Sequence, residues 1–186
     1  MNELASKSQL RMSYLRWALF TVPTIVFLGF LSGQIANSGY SNRWFAMLEK
    51  PDFMPPAWAF PVAWSIIYIL LGLALAIILH ARGAQLRGPA IALFLVQLIA
   101  NYAWSSVFFR MHLVTQAFWL ILFIFGISAL TAFLFARIRP AAAILMVPYL
   151  GWLIFAAMLN QAIDQLNPGA SGLVVPKGKS HIDMAI

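Results

Sequence analysis

The sequence predicts an all-α protein, an integral membrane bundle of five transmembrane helices, and three observations carry that prediction. Of its 186 residues 62% are hydrophobic and only 9% are charged, too little charge to cover a soluble domain of this length. The charges leave five uninterrupted windows, residues 17–42, 53–79, 88–109, 113–136 and 140–163, each longer than the roughly 20 residues a helix needs to cross a hydrocarbon core. The windows are continuous apolar runs and not the alternating ten-residue segments of a barrel. In lipid only helices and closed barrels satisfy every backbone polar group, so helices are expected.

The first span is expected over residues 14–37, behind a basic N-terminal segment, residues 1–13, and it ends at the turn-forming Asn37, Ser38 and Gly39. That basic start and apolar run resemble a signal peptide, but the run is too long and lacks a clear small-residue cleavage site, so it is read as a span. A loop follows over residues 40–56. Its segment 50–56, KPDFMPP, cannot be regular helix, because three prolines remove donors and bias their predecessors to extended backbone. A connection so stiff and aromatic is expected to fold back over the bundle as a lid.

The remaining spans are expected over residues 57–80, 89–109, 113–137 and 140–166, and their short connections make neighbours antiparallel. The Gly-, Pro- and Ser-rich tail, residues 167–186, is expected to be disordered. No internal repeat divides the chain into the halves on which many secondary transporters are built.

The net charge of +7 does not point to nucleic acid, because the basic residues form no stripe interleaved with aromatics. It fits the positive-inside rule instead. Lys7, Arg11, Arg16, Arg82, Arg87, Arg137 and Arg139 fall on one face, against Arg43, Lys50, Arg110, Lys177 and Lys179 on the other, which predicts an inside N-terminus. With no cysteine there is no disulfide or thiolate site.

No Asp, Glu, Lys, Arg or His lies inside the five windows, which argues against ion coupling. His80 and His112 close spans that end on opposite faces, so neither a bis-histidine haem nor a buried metal is expected. Aromatic and amide side chains at helical spacing occupy the interior instead. Asn101, Trp104, Ser105 and Phe108 recur at i, i+3, i+4 and i+7, Trp152, Ala156 and Asn160 at i, i+4 and i+8, and Trp58, Pro61, Trp64 and Tyr68 form a third stripe. Such faces suit a large planar ligand, with rings for stacking, small residues for room and amides for orientation. The same residue types also build interfacial belts and interhelical hydrogen bonds, and Trp17, Trp44 and Trp119 are candidates for the belt. Gly29 and Gly33 make a GxxxG pair, a pattern of close helix packing and of dimers.

Residues 44–68, WFAMLEKPDFMPPAWAFPVAWSIIY, resemble the signature of the TspO/MBR family of tryptophan-rich sensory and translocator proteins. Residues 97–109, QLIANYAWSSVFF, and 148–160, PYLGWLIFAAMLN, are similar to its motifs on the third and fifth spans, in the same order. The resemblance implies a five-helix membrane protein, commonly a homodimer among lipids. It implies a receptor that binds porphyrins such as protoporphyrin IX, sterols, and benzodiazepine-type ligands; since the residues offer no nucleophile, base or metal site, no cofactor and no catalytic residue are expected. By matched position the pocket would be lined by Trp64, Asn101, Trp104, Trp152 and Ala156, with Tyr68, Phe108 and Asn160 on the same stripes. Trp44, Phe45, Pro51, Pro55, Pro56 and Trp58 would form the lid. Phe45 stands where many members have Tyr. After Asn160 the run Gln161, Ala162, Ile163, Asp164 and Gln165 lacks the Tyr and Lys or Arg of the proposed sterol pattern. The expected ligand is therefore a tetrapyrrole, as the bacterial-looking motif WAFPVAW also implies. Facilitated transport of the same molecules and light-dependent porphyrin breakdown are the alternatives.

Overall fold

The computed structural model describes residues 7–173, and among them there is no β-strand. Five helices are long and apolar enough to cross a membrane. They are α1 (Lys7–Ile35), α3 (Ala59–His80), α4 (Arg87–Ser105), α5 (Val114–Ile138) and α6 (Pro140–Leu166), with a short α2 (Arg43–Met47) in the first loop. α4 runs on into a π-helical turn, Ser106–Arg110, and a 3-10 turn, Ala170–Gly172, follows α6. The protein is thus a multi-pass integral membrane bundle.

The helices pack in a ring: α1 against α3, α3 against α6, α6 against α5, α5 against α4, and α4 back to α1. Close approach between α1 and α3 depends on Gly72, where a Cβ would lie 2.7 Å from the Val22 Cα. Thr21 bridges the same crossing by donating to the Gly72 carbonyl at 2.8 Å. Ser32 donates to the Tyr102 carbonyl (2.6 Å) and the Tyr102 hydroxyl to the Ile25 carbonyl (2.8 Å), tying α1 to α4. Arg87 closes the open end of α3 by donating to the carbonyls of Ile78 and Leu79 at 3.0 and 2.9 Å, a favourable place for a cation.

Three local features differ from the sequence expectation. α1 begins at Lys7, so part of the segment expected to precede it is helical. The lid contains a helix, because the Asn42 side chain accepts from the Phe45 backbone N–H at 3.0 Å and so caps α2. The start of the expected tail is docked: Ala170 is buried, and Asn167 holds the lid. The rest of that expectation, residues 174–186, lies outside the described residues. Gly29, flagged as half of a dimer pattern, serves the monomer's own packing, since a Cβ there would overlap the Tyr68 ring.

Candidate functional site

At the α2 end the five helices do not close on one another but surround a cavity of about 380 Å³, within the roughly 300–1,000 Å³ typical of small-molecule sites. Among the described residues no Asp, Glu, Lys, Arg or His lines it. The stripes on α4 and α6 enter it whole: Asn101, Trp104, Ser105 and Phe108 on one side, Trp152, Ala156 and Asn160 on the other. Phe108 falls in the π-helical turn rather than in α-helix. The extra residue in that turn lets both Phe108 and Phe109 reach the cavity, a re-aiming for which π-turns at functional sites are known.

The rings form a continuous wall. Trp64 stacks on Tyr68 at 5.1 Å and meets Trp152 edge-on at 6.1 Å, and Phe60 meets Trp152 edge-on at 6.0 Å. Opposite them Trp104 stacks on Phe108 at 5.2 Å, its indole N–H held by the Ala117 carbonyl at 3.1 Å. Edge-to-face and offset contacts are the arrangements aromatic pairs prefer, and they hold these faces in fixed orientations.

Two amides supply polarity. Asn101 accepts the Tyr68 hydroxyl at 3.2 Å, which fixes its amide at the cavity wall. Asn160 is buried with neither Nδ2 nor Oδ1 partnered among the described residues. An unmade hydrogen bond of this kind costs about 1–3 kcal/mol. An interhelical hydrogen bond, the alternative role for such an amide, is not made by Asn160.

Of Trp44, Phe45, Pro51, Pro55, Pro56 and Trp58, the residues singled out for the lid, only Phe45 reaches the cavity. Trp44 and Phe45 are adjacent on α2 and so project about 100° apart; one can face inward while the other cannot. Trp44 turns to the opposite side, where it is buried, stacks on His112 at 4.3 Å and donates to the Ala170 carbonyl at 3.0 Å. It is therefore no belt residue. Trp58 is 67% exposed, because six residues of helix place it about 120° from Trp64. Pro51, Pro55 and Pro56 shape the loop without lining the cavity: Pro51 and Pro56 accept turn hydrogen bonds from Met54 and Ala59 at 2.9 Å, and Pro55 accepts the Tyr40 hydroxyl at 2.6 Å. Trp119 is exposed on the outer face of α5, as a belt residue would be.

Beside the lid, the Lys50 ammonium donates to the Phe45 and Leu48 carbonyls, both at 2.9 Å, and lies 4.8 Å from the Phe45 ring centre. Burial lowers its pKa below the ordinary lysine value.

Sequence reasoning missed the α1 wall, Gly29, Phe30, Gly33 and Gln34, as well as Tyr40, Met54, Phe60 and Phe155. Phe60 was recoverable, since it lies four residues before Trp64 and shares its face. The α1 wall carried no signal beyond its glycines.

The sequence profile of the TspO/MBR family matches residues 14–166, from within α1 through the lid to the end of α6. The chain is 38% identical over 129 residues to a tryptophan-rich protein TspO of Chlorobaculum tepidum, covering 69% of this chain and 82% of that protein. It is 38% identical over 143 residues to the translocator protein of Ovis aries, covering 76% and 84%. Against the tryptophan-rich sensory protein of Cereibacter sphaeroides it is 34% identical over 154 residues, covering 81% and 92%. Architecture, motif order and these similarities agree: the chain belongs to the TspO/MBR family.

Proposed function

We infer that this protein is a membrane receptor whose cavity holds a porphyrin-like tetrapyrrole, acting through occupancy and not through turnover. The observation that carries the reading is the uncharged cavity walled by Trp64, Trp104, Phe108 and Trp152. Flat apolar faces on two sides accept a flat conjugated ring, and stacking on each ring adds about 0.5–1.5 kcal/mol beyond area burial. Asn101 and Asn160 would orient the ring by hydrogen bonds to its polar substituents. The names of the relatives, sensory protein and translocator protein, support a role in sensing or handling a small molecule. Sterols and benzodiazepine-type molecules are further candidates for the same apolar walls, and a homodimer is the expected assembly.

The residues around the cavity offer no charged acid–base pair and no group of His, Cys, Asp or Glu that could hold a metal among the described residues, so occupancy is the simpler reading. Protoporphyrin IX added to detergent-solubilised protein should shift and sharpen its main absorption band, equally in darkness and in light. Loss of the band in light alone would replace binding by photochemical breakdown. Uptake of the porphyrin into sealed vesicles only when they contain the protein would favour transport.

A further inference from the structure

The segment that follows α6 is joined to the lid by hydrogen bonds that span more than a hundred residues of sequence. The Asn167 side chain pairs with Glu49 in both directions, its Oδ1 accepting from the Glu49 N–H at 2.8 Å and its Nδ2 donating to the Glu49 carbonyl at 2.9 Å. The same Nδ2 lies 2.8 Å from the Ile163 carbonyl at the end of α6. One turn further on, the Ala170 carbonyl accepts the indole N–H of Trp44 at 3.0 Å. Glu49 follows α2 and Trp44 lies within it, so the two contacts grip the lid helix at both ends.

We propose that residues 167–172 are a latch that sets how fast the cavity exchanges its ligand. Phe45, which faces the cavity, sits between the two gripped positions, and the lid cannot swing away without releasing them. The latch is also continuous with the cavity wall, because Leu159, Asn160 and Ile163 line the cavity from the last turns of α6. Just before the lid helix, Asn42 donates to the Asn37 carbonyl at 3.0 Å and to the Phe109 carbonyl at 3.3 Å. The Asn42 anchor acts as the hinge and the post-α6 contacts as the catch. A catch closed in both the empty and the filled protein slows admission and release together and leaves affinity nearly unchanged, since it controls the open state through which both must pass.

The proposal rests on the cavity being a ligand site, but the catch can be tested without ligand. In ligand-free full-length protein, Asn167→Ala should raise hydrogen exchange at the Glu49 amide and across residues 43–48 about tenfold, the factor that loss of hydrogen bonds worth about 1.4 kcal/mol gives. Trp44→Phe, which keeps a ring against His112 and Phe108 while deleting the donor to Ala170, should act in the same direction by about threefold. Stopped-flow mixing with protoporphyrin IX should then show association and dissociation both accelerated by similar factors, with the equilibrium constant moving less than about threefold. Unchanged exchange in both variants would overturn the latch. Faster exchange with unchanged porphyrin rates would also overturn it as a gate. Faster exchange with no porphyrin binding even to the parent protein would leave the catch standing and refute the ligand reading instead.

Discussion

At the end of the bundle away from α2, the helices are joined by small and aliphatic residues. Ala74, Ala90 and Ala142 are inaccessible, as are Leu71, Ile78 and Met146, and Phe94 stacks on Phe135 at 5.8 Å. At the α2 end the helices carry Trp64, Trp104, Phe108, Trp152 and Phe155, and a cavity of about 380 Å³ remains between them. The lesson is one of shape. Alanines let helix backbones approach and leave no room, whereas indoles and phenyls braced edge to face hold backbones apart. The cavity follows from the side chains that surround it, and its loop-side end is closed by a lid instead of by helix packing.

Substitutions at the two ends should therefore separate stability from binding. The largest stability effect is expected from Phe94→Ala at the packed end, a loss on the order of 3 kcal/mol in reversible detergent unfolding. The loss comes mainly from lost packing and a new void, because lipid or detergent already solvates the unfolded apolar chain. In material that remains folded, porphyrin affinity should be nearly unchanged. Trp152→Ala should reverse the pattern, with affinity falling tenfold or more and a much smaller change in unfolding. Trp152→Phe, which retains a smaller ring, should weaken binding only several-fold. An equal loss of stability in Phe94→Ala and Trp152→Ala would erase the distinction between the ends.

Asn160→Leu sharpens the comparison at the level of a single group. Replacing an unpartnered buried amide by an apolar side chain of similar size should stabilise the empty protein by about 1 kcal/mol while weakening porphyrin binding by a similar amount. A lower unfolding temperature in the empty variant would show that the amide has a structural partner. The smallest effect concerns His112, whose imidazole stacks on Trp44. Burial pushes its pKa below the ordinary value, and a backbone hydrogen bond with Phe109 offsets part of that shift. Protonation is therefore harder in the folded than in the unfolded chain. Its contribution is complete above about pH 6.5 and declines as pH falls through the window just below. Unfolding temperature should drop slightly across that window, and His112→Gln should flatten the drop.

Much of this was legible in the sequence, for physical reasons. Uninterrupted apolar windows fix the five spans because in lipid a continuous apolar run, unlike an alternating barrel strand, can only be helix, and helical spacing alone puts Asn101, Trp104 and Phe108 on one wall and Trp152, Ala156 and Asn160 on another. What escaped depended on contacts distant in sequence or on angles within short elements. Adjacent Trp44 and Phe45 look alike as lid residues, yet the turn of α2 separates them. Trp58 lies off the stripe it was grouped with because six residues of helix rotate it away from Trp64. The docking of Asn167 and Ala170 could not be read from a Gly- and Pro-rich stretch whose partners, Glu49 and Trp44, lie more than a hundred residues earlier.

The most direct measurement of the central claim is a protoporphyrin IX titration in darkness, followed by tryptophan fluorescence, on the parent protein, Trp152→Ala and a control, Trp119→Phe, on the lipid-facing side of α5. The cavity reading predicts saturable quenching in the parent, a tenfold or greater loss of affinity in Trp152→Ala, and parental affinity in Trp119→Phe. Parental affinity in Trp152→Ala together with weakened binding in Trp119→Phe, both proteins keeping their thermal stability, would place the ligand on the outer surface of α5 and contradict it.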